Sequence, residues 1–350
     1  MIQVGVLGFA HGHVMSFGRV WKEHPEYGVR VACGWDHDKE RMERSCKDLD
    51  ATPCESAEAL LASDISAVVV TCETQYHVDM VEKAAAAGKD IILYKPMALT
   101  MAQADRIVEA VNRHGVRFTM GWQMRVDPQN IKIKSLIDEG ALGKVTLYRR
   151  RHSLSTHEWG NFADTWHADP ALNRDIFADD SSHPINMMQW IFGMPETVSC
   201  EMSSMIDPRV PNDTGVALFR YADGMIAEIS CQFTTTAAEI TTEVYGDKGT
   251  VQQYYGDAPS TNKLPHGTGG LKWVRQGDPD WTVSDIPTPK THSERLGWQA
   301  EPFAKFLKGE AGPVCTAEEG RDSLRLVLAC YVSARTGQRV SVWDERVYDI

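Results

Sequence analysis

The sequence predicts an α/β chain in two parts: a doubly wound parallel sheet, then an α+β domain built on a large, mainly antiparallel, open-faced sheet. Three observations predict it. The first 120 or so residues alternate short apolar runs with segments of helical period, the pattern of parallel strands joined by crossover helices. Beyond about residue 122 strand-like runs dominate, and such a run of strands needs antiparallel pairing. At 350 residues the chain also exceeds what one hydrophobic core ordinarily supports, so two domains, 1–122 and 123–350, are expected.

The elements follow in order. Ile2 to Leu7, Val29 to Cys33, Ala67 to Thr71, Asp90 to Leu93 and Arg117 to Met120 are the apolar runs of the first part. Between them Ser56 to Leu61, His77 to Ala87 and Met101 to His114 carry apolar residues at helical spacing, and Gly88 and Gly115 stand where helices would be capped. In the second part Gly143 to Arg151, Thr197 to Ser203, Gly215 to Tyr221, Met225 to Phe233 and Glu239 to Tyr245 read as strands. Pro259 to Pro289, rich in Pro, Gly, Asp and Thr, reads as a surface excursion, and Trp298 to Lys308 and Ala317 to Arg335 as closing helices.

The formal charge of -12 argues against a nucleic-acid partner, which would require a basic face, and favours a small-molecule ligand. Eight cysteines are scattered with no C-x-x-C pair, as in a chain that lives in a reducing compartment. No basic leader and no run of about 18 apolar residues is found, so a cytoplasmic protein with no membrane partner is expected.

The stretch from Val4 to His13 lies between the first strand and a helix, where a tight turn would aim backbone N–H groups at a pyrophosphate. It matches G-x-G-x-x-G imperfectly: Gly8 fills the first place, Ala10 the second and His13 the third, with Gly12 displaced by one. Asp36 ends the second strand 28 residues after Gly8, somewhat beyond the roughly 20 expected of an acid that grips the adenosine ribose. Its charge would repel a 2′-phosphate, so NAD is expected rather than NADP.

With these residues in hand the chain resembles, over its full length, the glucose-fructose oxidoreductase / inositol dehydrogenase / rhizopine-catabolism (Gfo/Idh/MocA) family. The likeness rests on Asp36-His37-Asp38-Lys39-Glu40-Arg41, on His77 to Pro96, on Asp179 to Asn186, on Tyr245 to Thr250 and on Ser333 to Gly337. It departs at Tyr94, where the family has Glu, at Glu73, where it has Pro, and at Asn173-Arg174-Asp175, where it has three glycines. The resemblance implies a Rossmann domain, an NAD-dependent dehydrogenase acting on a hydroxyl-bearing carbon of a sugar, polyol or related compound, and a homodimer or homotetramer. It implies that Gly8, Phe9, Ala10, His11, Gly12, His13, Asp36, Thr71, Glu73, His77, Tyr94 and Lys95 line the cofactor. Lys95, Arg125, Asp179, His183 and Asn186 would line the substrate. Trp166 and His167, from a cluster of aromatic and imidazole residues before the Asp-His pair, are expected there too, and the absence of clustered Cys/His spacing beyond His11-x-His13 leads to the expectation of no metal.

Alcohol oxidation needs a base for the hydroxyl proton, a cation near the developing oxyanion and a nicotinamide to take the hydride. Lys95 follows the fourth apolar strand, at the carboxyl edge of the sheet where such folds bind ligands. Asp179 and His183 are four apart, a spacing that can bring them into hydrogen bonding on a helix. By resemblance His183 is the base, Lys95 lowers the hydroxyl pKa and Asp179 fixes the imidazole tautomer. Other readings stay open. His11-x-His13 after a first strand also opens some metallohydrolase barrels; an NAD-recycling glycosidase or a sugar-sensing protein could share the fold.

Overall fold

The computed structural model describes residues 1–236, 239–256, 270–289 and 291–350, which fall into two compact units. The first takes in Met1–Val126, Ala171–Asn173 and Ser293–Leu324; the second takes in Asp127–Pro170, Arg174–His292 and Arg325–Ile350.

In the first unit β1 (Ile2–Leu7), α1 (His13–Glu23), β2 (Val29–Trp35), α2 (Lys39–Leu49), β3 (Thr52–Pro53), α3 (Ala57–Leu61) and β4 (Ala67–Val70) come first. They are followed by α4 (His77–Ala86), β5 (Asp90–Tyr94), α5 (Met101–His114), β6 (Phe118–Gly121) and α6 (Gln123–Val126). The parallel sheet runs β3-β2-β1-β4-β5-β6, the doubly wound order in which the strand sequence reverses beside β1. The apolar runs expected as strands are all present, and the sixth strand, β3, is two residues long and fully exposed, so no apolar run announced it. Local capping fits the elements: the Ser56 and Thr100 hydroxyls accept the N–H groups of Ala59 and Gln103, and Gly115 closes α5 in the left-handed region.

The second unit holds α7 (Pro128–Asp138), β7 (Val145–Ser153), α8 (Pro170–Asn173, shared with the first unit), α9 (Ile176–Asp180) and α10 (Ser182–Phe192). Strands β8 (Thr197–Ser203), β9 (Thr214–Arg220), β10 (Ile226–Gln232), β11 (Glu239–Gly246), β12 (Gly249–Gly256), β13 (Gly270–Arg275) and β14 (Thr282–Val283) follow. The chain then returns to the first unit with α11 (His292–Gly297), α12 (Ala300–Lys308) and the start of α13 (Ala317–Thr336), and the rest of α13 and β15 (Val340–Ser341) belong to the second. The nine-stranded sheet runs β14-β13-β12-β11-β7-β10-β9-β8-β15, antiparallel except for β7 with β10. Of the excursion expected over 259–289, residues 259–269 lie outside the described residues; the rest contributes β13 and β14, since Leu271 and Trp273 alternate with polar neighbours closely enough to pair with β12. This sheet is not the eightfold barrel a metallohydrolase reading required.

Period-two alternation gives the large sheet two unlike faces. Tyr148, Phe219, Ile229, Val244 and Val251 point to the side covered by α10 and are buried. On the opposite face, register places Val216, Leu218 and Ile226 near Arg149, which pairs with Glu228 at 3.0 Å and Glu243 at 3.3 Å. Val216, Leu218, Ile226, Tyr254 and Val283 are exposed there. Among the described residues no helix is long and apolar enough to cross a membrane.

The core of the first unit joins Val4, Val6, Val31 and Val69 of the sheet to Phe17 and Trp21 of α1, and these to Phe303 and Leu307 of α12. The Trp21 indole N–H donates to the Ala300 carbonyl at 2.8 Å, so the buried ring is also polar-satisfied. Trp21→Ala should therefore lower unfolding stability by about 3–5 kcal/mol, checked by urea denaturation followed by circular dichroism.

Candidate active site

Gly8 follows β1 with φ +82°, and a Cβ there would lie 2.4 Å from the Cys72 Cα, so only glycine fits. Thr71 Oγ1 donates to the Gly8 carbonyl at 2.6 Å and the His11 N–H to the Thr71 carbonyl at 2.9 Å, tying the turn to the end of β4. Gly12 caps α1; a Cβ on it would meet nothing within 4 Å, and no side chain caps the helix. The N-terminus of α1 is thus open beside Gly12, a setting that fits the pyrophosphate of a dinucleotide.

Asp36, just after β2, is 4% exposed and receives four donors. Oδ2 accepts the Phe9 N–H at 2.6 Å and Arg41 Nε at 2.8 Å; Oδ1 accepts the Asp38 N–H at 2.9 Å and Arg41 Nη2 at 2.7 Å. Arg41 Nη2 also donates to Glu73 Oε1 at 2.9 Å, and both carboxylates raise the guanidinium pKa against the opposing effect of burial. Sequence reasoning missed Arg41, although it stands five residues after Asp36 in the acidic turn.

Lys95 is 3% exposed and follows β5, joined to Pro96 by a cis peptide bond. His77 lies beneath this turn with Nδ1 2.9 Å from the Pro96 carbonyl and Nε2 3.1 Å from the Cys72 carbonyl. His77 thus sits between the ends of β4 and β5, with one ring nitrogen facing a backbone carbonyl of each. Tyr94 receives an N–H of Gln299 at 2.8 Å and stands 2.9 Å from His13 Nδ1, to which its own proton can be given. His11 packs against both rings, at 4.2 Å from His13 and 4.6 Å from Tyr94. Burial pushes the Tyr94 phenol up, partly offset by Gln299 and Arg295, so it is neutral. Arg125, expected beside substrate, is buried with Nη1 donating to Glu319 at 2.9 Å and to the Val314 carbonyl at 3.2 Å, which braces the 314–319 turn.

The second unit brings Trp166, His167, Asp179, His183 and Asn186 together with two residues that sequence reasoning missed as partners, Asp180 and His152. Asp175 caps α9 by accepting the Ala178 N–H, and α10 begins directly after Ser181. Asp179 and Asp180 therefore fall on the last turn of one helix and His183 on the first turn of the next. The partner expected for Asp179 was His183. Asp179 Oδ2 instead accepts from His167 Nδ1 at 2.6 Å, while His183 Nε2 lies 3.5 Å from Asp180 Oδ1. Asp180 Oδ2 is 3.7 Å from His152 Nε2, and the His152 and His183 rings are 6.0 Å apart. With Nδ1 donating to a carboxylate, the His167 ring keeps its lone pair on Nε2 when neutral. Trp166 stacks on His167 at 3.9 Å, and Asn186 is buried within α10.

Residues 2–122 match the family described as an oxidoreductase family with an NAD-binding Rossmann fold, and residues 130–252 match the GFO/IDH/MocA C-terminal domain. The chain belongs to the Gfo/Idh/MocA family. As a member it is an NAD-binding oxidoreductase. It is similar to scyllo-inositol 2-dehydrogenase (NAD(+)) of Bacillus subtilis (strain 168), at 25% identity over 96% of this chain and 97% of that one. Two solved structures share the fold. One is levoglucosan dehydrogenase in complex with NADH and levoglucosan, with TM-score 0.83 and 17% identity over 98% of this chain and 100% of the other. The second is an oxidoreductase from Agrobacterium radiobacter in complex with NAD+, L-tartaric acid and magnesium, with TM-score 0.83 and 18% identity over 97% and 98%.

Burial lowers the His77 pKa from 6.5 to about 4, against three backbone hydrogen bonds that raise it. The folded value lies below the unfolded one, so protonation costs the folded state. Stability from this residue is complete above pH 6.5 and is lost as pH falls toward 4, by up to about 3 kcal/mol. Thermal melts across this range should show a steeper fall for the parent than for His77→Gln.

Proposed function

We propose that this Gfo/Idh/MocA oxidoreductase transfers a hydride between NAD and a hydroxyl-bearing carbon of a sugar, polyol or related compound. The observation that carries this reading is the pair of imidazole–carboxylate couples in the second unit, His167 with Asp179 and His183 with Asp180. Oxidising an alcohol requires removal of a hydroxyl proton, and a histidine oriented by a carboxylate does this near neutral pH. The similarity to scyllo-inositol and levoglucosan dehydrogenases supports a polyhydroxylated substrate. The stacked Trp166–His167 pair offers a flat face of the kind that packs on sugar rings.

The bound nicotinamide supplies the hydride acceptor or donor. His183 takes the hydroxyl proton and Asp180 orients it; Lys95 supplies positive charge to the oxygen as it becomes anionic. Asp179 holds His167 in the Nδ1–H form, beside Trp166. A second assignment of the base rests on His167, whose couple is the closer of the two and whose side chain is 29% exposed against 3% for His183. The strand face carrying exposed Val216, Leu218 and Ile226 is the surface through which we expect homodimers or homotetramers to form. Eight free cysteines, seven of them buried, support a reducing, cytoplasmic setting.

A panel of sugars and polyols offered with NAD and NADP, followed by nicotinamide absorbance, tests the reaction: NADH should accumulate in proportion to oxidised product. A product formed without net NADH would support the glycosidase reading, and no turnover the sensor. Lys95→Ala should lower kcat by roughly 10²-fold or more, about 3 kcal/mol, with NAD affinity little changed. His183→Asn should fall similarly while His167→Asn loses less; the reverse ranking makes His167 the base. Light scattering should give an oligomer at micromolar concentration, and Leu218→Asp should shift it toward monomer.

A further inference from the structure

The acid expected to grip the adenosine ribose is already saturated. Asp36 carries four donors, about as many as an ionised carboxylate takes, and one of them is the Phe9 N–H inside the nucleotide turn. Its role is thus partly architectural. Glu73 is different. It stands shortly after the carboxyl end of β4, its side chain is 4% exposed, and its Oε1 holds Arg41 Nη2 at 2.9 Å. Its Oε2 is buried with no hydrogen-bond partner among the described residues. His37 sits alongside, with Nδ1 3.6 Å from Asp36 Oδ1 and Nε2 3.6 Å from Glu73 Oε1. Two buried carboxylates therefore share one guanidinium, leaving an excess negative charge at the edge of the nucleotide crevice while Arg41 is spent on internal pairing.

Resting on the reading of this crevice as the dinucleotide site, we propose that Glu73 is the determinant of cofactor choice: by pinning Arg41 against Asp36 it keeps that guanidinium from serving a 2′-phosphate. An arginine beside the adenosine ribose is the usual ligand for that phosphate, through parallel charge-assisted bonds. Here the residue is present and its donors are turned inward. Replacing Glu73 with proline or glutamine balances the local charge: proline leaves Arg41 paired to Asp36 alone and releases the Nη2 hydrogen that faced Glu73, whereas glutamine keeps only a neutral amide acceptor that a 2′-phosphate can outcompete. The backbone at position 73, φ −62° and ψ 145°, also suits proline, the residue this family places there.

The test uses adenosine fragments, so that its readout does not depend on turnover. Calorimetry at a pH above the histidine range compares 5′-ADP, 2′,5′-ADP, NAD and NADP on the parent, Glu73→Gln, Glu73→Pro and Glu73→Gln/Arg41→Ala, with thermal melts confirming folding. The parent should bind 5′-ADP and NAD at least tenfold more tightly than the 2′-phosphorylated counterparts, roughly the discrimination that one uncompensated charge provides. Glu73→Gln and Glu73→Pro should shift that ratio by roughly tenfold or more toward the 2′-phosphate, and Arg41→Ala should cancel the shift. A folded Glu73→Gln or Glu73→Pro with the parent's ratio overturns the proposal, as does a gain that survives Arg41→Ala. If the parent binds neither 5′-ADP nor NAD, the nucleotide reading itself falls, and the proposal with it.

Discussion

The carboxylate of Asp36 joins three things that must agree for the first unit to hold a dinucleotide. It takes the Phe9 N–H from the turn after β1, the Asp38 N–H from the start of α2, and both a Nε and a Nη2 donor from Arg41. Turn, strand end and helix start are set by one buried group. Around it Gly8 lies against Cys72 so closely that no side chain fits, and the neighbouring Thr71 hydroxyl holds the Gly8 carbonyl. The backbone of the turn is therefore fixed before any ligand arrives, which is the preorganisation that anion binding by N–H groups requires.

Much of this was legible in the sequence because the first unit is governed by local rules. Buried parallel strands must be apolar throughout, helices between them must be amphipathic, and a strand-to-helix turn with positive φ strongly favours glycine. Gly8, Asp36 and the element order followed from such rules. β3 did not, since two exposed residues carry no hydrophobic signal. Arg41 and Glu73 were visible as charges but not as partners: they are 32 positions apart and meet only because β2 and β4 flank β1.

The second unit was harder to read, for a physical reason. Spacing of four suggested that Asp179 and His183 share a helix face, but the helix breaks at Ser181 and the two residues belong to different segments. Which carboxylate meets which imidazole is then decided by packing. His167 reaches Asp179 from a stretch of turns that carries little periodic signal, and His152 approaches Asp180 from β7. The residue types announced proton chemistry; their pairing is a tertiary property.

The return of Ser293–Leu324 to the first unit bears on how the molecule is made. Phe17 and Trp21 complete their packing only with Ala300 and Phe303, residues translated long after the parallel sheet. During synthesis α1 must wait on the order of ten seconds or more with part of its apolar wall uncovered. The earliest strands therefore acquire their full stability late, and the nascent chain has an interval in which a chaperone can hold what the finished protein buries.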